Sequence, residues 1–95
     1  MIVTISFQAA DGKRDELVAK MQSILPDTKA FDGCRHITLT ESTETPGLLM
    51  LLEDWESAGH YATYKAWRAE SGTSVLAGDL VVHSSLVSSS FNALD

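Results

Sequence analysis

The sequence predicts one α+β domain with four strands and two helices in the order βαββαβ. Three stretches alternate between apolar and polar residues, and two others repeat their apolar residues at helical spacing. The chain of 95 residues is 44% hydrophobic and 21% charged, which favours a folded chain over a disordered one. A chain this short has room for one thin core, so we expect residues 1–95 to form a single domain.

The first strand and the first helix occupy the N-terminal quarter of the chain. Apolar and polar residues alternate over Met1–Gln8, as in a strand with one buried face. From Lys13–Leu25 the apolar residues recur at the spacing of an amphipathic helix. We expect Asp11 to cap this helix and Pro26 to end it.

The second and third strands are predicted to form a hairpin. Phe31–Gly33 is typical of a tight turn, and alternation then marks a strand over Cys34–Glu41. A short polar turn separates this strand from Leu48–Trp55, which begins with five apolar residues. Such a run favours a strand that is covered on both faces.

The second helix and the last strand complete the order. Ser57 is a favourable N-cap residue, and Gly72 is placed to end the helix that follows. Alternation over Leu80–Val87 predicts the fourth strand. Residues 88–95 are expected to form a polar C-terminal tail.

This order is the ferredoxin-like arrangement, in which both helices lie on one face of a four-stranded antiparallel sheet. The third strand is nevertheless apolar on both sides, so the second face of the sheet requires cover as well. We expect an identical sheet to provide it in a two-fold homodimer, the commonest closed symmetry. Phe91 and Leu94 of the tail would then pack on the partner subunit.

Composition excludes several classes of function. Seven basic residues against thirteen acidic ones argue against binding to nucleic acid. The single cysteine, Cys34, forms no internal disulfide, and no histidine pair has the spacing of metal ligands, so we expect no metal. No run of about 18 apolar residues and no signal peptide is present, which predicts a cytoplasmic protein without membrane contact.

One face of the second helix carries four rings and a guanidinium group. They belong to His60, Tyr61, Tyr64, Trp67 and Arg68. These rings could line a pocket for a flat ligand, although aromatic residues on a helix are more often part of the core. Arg68 has the plainer alternative of a salt bridge, and His60 that of a half-exposed surface residue.

The corner after the third strand has a plainer explanation. Glu53, Asp54 and Glu56 are interpreted as a solvated turn, and Trp55 as a structural residue.

Three segments resemble the antibiotic biosynthesis monooxygenase family: Thr28–Cys34, Leu51–Ser57 and Tyr64–Arg68. The resemblance covers about the whole chain. It implies a homodimer whose sheets form a dimeric α/β barrel, with an apolar pocket between helices and sheet in each subunit. Some members oxidise aromatic polyketides, quinols or related phenols with molecular oxygen and need neither flavin nor metal. Their substrate supplies the electrons once it is deprotonated.

The first hypothesis is therefore a monooxygenase without a cofactor that acts on a small aromatic, phenolic or quinol-like compound. Tyr64, Trp67 and Tyr61 would be pocket walls that bind the substrate. Arg68 would stabilise its anion, and His60 would be the base. In the first turn of its helix His60 is favoured in its neutral form, which accepts a proton.

Two alternatives stay open. One is a dimeric ligand-binding or interaction module without catalysis, whose pocket its own side chains would fill. The other is haem degradation, which other members of the family perform. The haem-degrading members have an Asn on the first strand, which Met1–Gln8 lacks, and a His where this chain has Ala77.

Overall fold

A computed structural model describes all 95 residues, and it contains four strands and two helices in the predicted order. The elements in chain order are β1 (Ile2–Ala9), α1 (Arg14–Ala30), β2 (Cys34–Glu41), β3 (Leu48–Trp55), α2 (Ala58–Ser71), a short 3-10 turn (Val75–Ala77) and β4 (Val81–Phe91). The ferredoxin-like prediction is confirmed.

The four strands form one antiparallel sheet in the order β2-β3-β1-β4. In register, Ile5 of β1 lies between Leu51 of β3 and Ser88 of β4. β2 and β3 form the predicted hairpin, in which Leu39 is the partner of Leu51. Both helices contribute side chains to a cavity that Ile5 and Leu51 also line, so they cover the same face of the sheet.

The core lies between this face and the helices. Alternate residues of β1 and β3 point into it, as strand geometry requires. Its ten buried residues are Phe7, Ala9, Leu17, Met21, Ile37, Leu49, Leu51, Val75, Leu80 and Val81.

Helix α1 differs from its prediction at both ends. Pro26 lies inside the helix, which continues to Ala30, so the prediction that Pro26 ends it is wrong. Proline removes only one backbone donor, and the last turn is held by the buried Thr28, whose hydroxyl bonds to side chains of α2. At the other end Lys13 occupies the cap position without a side-chain bond, so Asp11 does not cap the helix.

Strand β4 is longer than predicted, and the tail is shorter. The strand runs from Val81 to Phe91, so a tail over residues 88–95 is wrong in its boundary. Ser88–Phe91 pair with Ile2–Ile5, because a strand ladder uses backbone groups that serine supplies as well as any residue. Only the last four residues, 92–95, lie beyond the strand.

The second face of the sheet has no helix on it. Apolar side chains are exposed there on two strands, with 39% of Leu52, 59% of Val87 and 54% of Phe91 accessible. Thr4 and Ser6 of β1 also lie on this face, next to partners on β3 and β4. The single chain therefore leaves an apolar patch open at the centre and on the β4 side of the sheet.

Candidate functional site

A cavity of about 290 Å³ lies between the two helices and the covered face of the sheet. Its walls are mainly apolar. The sheet contributes Ile5, Ile37 and Leu51, and α1 contributes Met21, Ile24 and Leu25. Such a cavity, with a few polar groups among apolar walls, is the usual form of a small-molecule site.

Helix α2 carries the polar wall of this cavity, and its two ends are fixed as predicted. The Ser57 hydroxyl accepts a hydrogen bond from the backbone N–H of His60 at 3.2 Å. Gly72 ends the helix in the left-handed region, at a φ of 66°, where glycine is favoured. Between these caps, one face of the helix lines the cavity with the side chains of Tyr61, Tyr64 and Arg68.

Arg68 is buried in that wall, with 6% of its surface exposed. Its Nε donates to the Tyr64 hydroxyl at 2.9 Å, and its Nη1 to the Thr73 hydroxyl at 3.0 Å. Its Nη2 donates to the Ile24 carbonyl at 3.0 Å and to the Thr28 hydroxyl at 2.8 Å. All four acceptors are uncharged, and no carboxylate lies within 4.0 Å of the guanidinium. The expected salt bridge of Arg68 is therefore absent.

The two hydroxyls beside Arg68 leave one hydrogen unused. Thr28 Oγ1 and Tyr64 Oη lie 2.8 Å apart, and each accepts a hydrogen bond from the guanidinium. Only one of them donates to the other, so the second hydroxyl retains a hydrogen for another acceptor. All three residues line the cavity. Together they form a cationic group of hydrogen-bond donors, and none of the ion pairs of the chain includes it.

Glu53 lies on the sheet side of the same cavity and is 3% exposed. Strand alternation places it on the same face as Leu51 and Trp55, so the interpretation as a solvated turn is wrong. The indole Nε1 of Trp55 donates to Glu53 Oε1 at 2.8 Å. Burial raises the pKa of Glu53 above the usual carboxyl value, and the bond from Trp55 offsets part of that rise.

Tyr61 and Lys65 complete the polar side of the cavity. Burial, with the neighbouring Glu53 as a second cause, raises the pKa of Tyr61 to about 12. Its hydroxyl therefore stays protonated at neutral pH. The Lys65 ammonium lies 4.6 Å from the centroid of the Tyr61 ring, which is a cation–π distance.

Trp67 lies behind the cavity wall and does not line it. Its ring packs at 5.3 Å from the ring of Phe31, and the guanidinium of Arg68 lies 4.7 Å from its centroid. Tyr64 packs against Trp55 with their ring centroids 4.9 Å apart. The rings thus form one cluster that fixes Tyr64 and Arg68 in place, and Trp67 contacts the site through Arg68.

His60 also lies outside the cavity, in a separate surface depression. Its Nδ1 is 2.7 Å from the Ser57 hydroxyl, and its Nε2 is 3.6 Å from Glu56 and 3.7 Å from Asp32. The ring covers Gly33, whose φ is 87°, so closely that a Cβ there would collide with it. His60 therefore holds the turn before β2 against the start of α2.

The structure thus brings Tyr61, Tyr64 and Arg68 to one cavity and leaves His60 and Trp67 outside it. Sequence reasoning missed Glu53 and Thr28. The signal for Glu53 was available, because it has the same strand parity as the buried Leu51. For Thr28 no local pattern points to burial beside an arginine that is 40 residues away.

A ligand-sized cavity with a few polar groups among apolar walls is typical of domains that bind or convert small molecules. The family is more specific. The model of the antibiotic biosynthesis monooxygenase family matches residues 1–71, and the chain belongs to this family. The matched part runs from β1 to the end of α2 and so contains most of the cavity wall.

Solved structures share the fold over nearly the whole chain. A Deinococcus radiodurans structure that carries this family's name has 21% identity and a TM-score of 0.83, covering 100% of this chain and 94% of its own. PA3566 from Pseudomonas aeruginosa has 15% identity and a TM-score of 0.80, with 99% and 93% covered. Rv0793 from Mycobacterium tuberculosis has 26% identity and a TM-score of 0.67, with 99% and 94% covered.

No curated protein matches this chain. Neither helix has the length and hydropathy needed to cross a membrane.

Proposed function

We propose that this chain is a monooxygenase without a cofactor that oxygenates a small aromatic, phenolic or quinol-like compound and works as a homodimer. The observation that carries the proposal is Arg68, a buried cation with no carboxylate partner in the wall of an apolar cavity. A cation in such a place is costly, and an anionic ligand relieves that cost.

The chemistry requires this anion. A ring methylene that lies between two aromatic rings and opposite a ring carbonyl, as in an anthrone, loses a proton to give an enolate that is electron-rich enough to react with oxygen. One oxygen atom enters the substrate as a carbonyl, and the other leaves as water with the two methylene hydrogens. The substrate supplies all four electrons, so no external reductant enters the balance. A guanidinium in an apolar, water-poor site stabilises the intermediate anion more strongly than water does.

The cavity suits a small ring system. Its volume of about 290 Å³ is at the lower end of the range for ligand pockets, about 300–1,000 Å³. Tyr61 and Tyr64 offer ring surfaces on one side, and the apolar residues of α1 and the sheet exclude water on the other. A pocket filled by its own side chains, as the non-catalytic alternative requires, does not agree with this volume.

The proposal of a homodimer is based on the exposed second face of the sheet. Leu52, Val87 and Phe91 are exposed there in the single chain, and proteins of this family are generally dimeric. A second copy that packs its sheet on this patch buries these side chains and covers β3 on both faces. Leu94 in the last four residues, 97% exposed, would find its cover on the partner subunit.

Oxygen uptake with a panel of anthrones and quinols tests the activity. We expect the protein to consume oxygen faster than the buffer with at least one substrate. Arg68→Gln should lower kcat/KM by about 100- to 1,000-fold, since it removes the charge that holds the anion. Arg35→Gln is the matched control, because Arg35 is exposed and lies outside the cavity. The proposal fails if the protein consumes oxygen no faster than the buffer with every substrate, or if Arg68→Gln and Arg35→Gln have the same kcat/KM.

Sedimentation or light scattering tests the homodimer. We expect a mass of two chains, and Val87→Lys should shift the protein toward the monomer because it places a charge in the apolar patch. A wild-type monomer at micromolar concentration would contradict the dimer.

A further inference from the structure

We propose that Glu53 is the general base of this cavity and takes the proton from the bound phenolic or enolic substrate through its Oε2 atom. The inference rests on the proposed function, since it assigns a residue to that reaction. The family match identifies no base, and His60, the base predicted from the sequence, lies outside the cavity.

The geometry of Glu53 fits this role. Strand β3 points it into the cavity, and it is 3% exposed. The indole of Trp55 holds one oxygen, Oε1, at 2.8 Å. Trp55 is the only hydrogen-bond partner of the carboxylate, so the lone pairs of the other oxygen, Oε2, are free for a ligand proton. Trp55 is itself fully buried, which fixes the direction of the carboxylate.

The surroundings of Glu53 favour proton uptake. On β2 and α2 the titratable or charged groups around it are Cys34, Tyr61, Tyr64, Lys65 and Arg68. The residues of α1, β1 and the 3-10 turn that line the cavity carry no titratable group. None of these groups outweighs burial, which raises the pKa of Glu53 above the usual carboxyl value and so makes its carboxylate a stronger base.

The charge balance of the step is favourable. Before the transfer, the cavity contains the Glu53 carboxylate and the Arg68 guanidinium. The substrate O–H or C–H bond then breaks, its hydrogen bonds to Oε2, and the electron pair stays on the substrate. The negative charge has moved from Glu53 to the substrate beside Arg68, so no new charge appears in the apolar cavity. No electron is transferred in this step.

Steady-state oxygen uptake gives the first test, with Glu53→Gln against Asp54→Asn. Both changes replace a carboxylate by an amide on adjacent residues, but Asp54 points to the opposite face of β3. Glutamine still accepts the Trp55 hydrogen bond and takes up no proton. We expect Glu53→Gln to lower kcat at least about 100-fold with little change in KM, and to abolish the acidic limb of the pH profile. Asp54→Asn should retain wild-type kinetics.

Calorimetry with a nitrophenol, at a pH below the pKa of the free dye, gives a second test that needs no turnover. The colour of the bound dye reports its ionisation, and titration in buffers of different ionisation enthalpy counts the protons released. In the wild type we expect a bound phenolate without proton release, since Glu53 takes the proton. In Glu53→Gln we expect about one proton released for each phenolate bound, since only the solvent can take it.

The two tests separate failure of the inference from failure of the proposed function. If the wild type turns over a substrate and Glu53→Gln equals it, Glu53 is not the base and the proposed function stands. If the wild type turns over nothing, the proposed function fails, and the proton count alone decides the role of Glu53. Equal proton release from both proteins, or no binding of any nitrophenol, overturns the inference.

Discussion

Two regions of this molecule place arginine and glutamate side chains in opposite surroundings, one exposed to water and one buried. At the N-terminus of α1, Arg14 is exposed and bonds to the Glu41 carboxylate at 2.6 Å and to Asp15 at 3.0 Å. In the cavity, Arg68 and Glu53 are both buried, and no ion pair joins them to each other or to another charge. The charges where water is available are neutralised, and those where it is excluded are not.

This difference has an energetic meaning. An exposed pair contributes little to stability, because water already solvates both charges. A buried, unpaired charge reduces stability, and folded proteins retain such charges mainly at functional sites. The region around Arg14 is therefore interpreted as surface structure and the cavity as the site. Four predictions test this contrast.

The largest effect on stability is expected from Arg68→Ala. It removes a side chain that fills the wall of the cavity and four hydrogen bonds, while the relief of a buried charge offsets part of the loss. We expect the free energy of unfolding in urea to fall by about 3 kcal/mol. Arg14→Ala is the control and should leave the urea midpoint almost unchanged. Equal losses in the two variants would contradict the contrast.

The second prediction concerns an added anion. Benzoate is a small aromatic anion that matches the apolar walls and the charge of Arg68. At 100 times its dissociation constant it should stabilise the wild type by about 2.7 kcal/mol, seen as a higher melting temperature. Arg68→Gln should lose this stabilisation, and Arg14→Gln should retain it. A benzoate shift that depends on Arg14 would place the anion site at the surface pair instead.

The sequence predicts the helices and strands that carry the two charged regions, but not which of the charges are paired. Periodicity locates all six main elements, and Ser57 and Gly72 mark the ends of α2 correctly, because these signals are local. Whether Arg68 meets an acid depends on which residues of α1 face it. That packing brings Thr28 and the Ile24 carbonyl to it from about 40 residues away, and no local pattern encodes this.

Two errors show where local rules fail. The polar residues Ser88–Ser90 predict a tail, yet their backbone pairs with β1 as well as that of apolar residues does. The acidic neighbours of Glu53 favour a solvated corner, although strand parity puts Glu53 on the buried face. In both cases the position in the sheet outweighs the polarity of the side chain.

Glu53→Gln provides the third prediction, on the pH dependence of stability. Because burial raises the folded pKa of Glu53 above its unfolded value, the folded state holds the proton more tightly. The wild type should therefore lose stability as the pH rises from the unfolded pKa through the raised folded pKa. Glu53→Gln remains neutral, so at pH 7 it should be more stable than the wild type. Urea unfolding of both proteins at pH 5 and pH 7 checks this, and a wild type that is the more stable at pH 7 would contradict it.

Glu41→Gln should give the smallest effect, with the opposite sign. The Arg14 hydrogen bond, followed by the backbone N–H of Gly47, lowers the pKa of Glu41 in the folded protein. Its contribution to stability is therefore fully present above the unfolded pKa and is lost as the pH falls through the lowered folded pKa. The small deficit of Glu41→Gln at pH 7 should vanish in acid, whereas the advantage of Glu53→Gln appears only as the pH rises. Urea unfolding at pH 3 and pH 7 checks this. A Glu41→Gln deficit of the same size at both pH values would contradict the difference between the two regions.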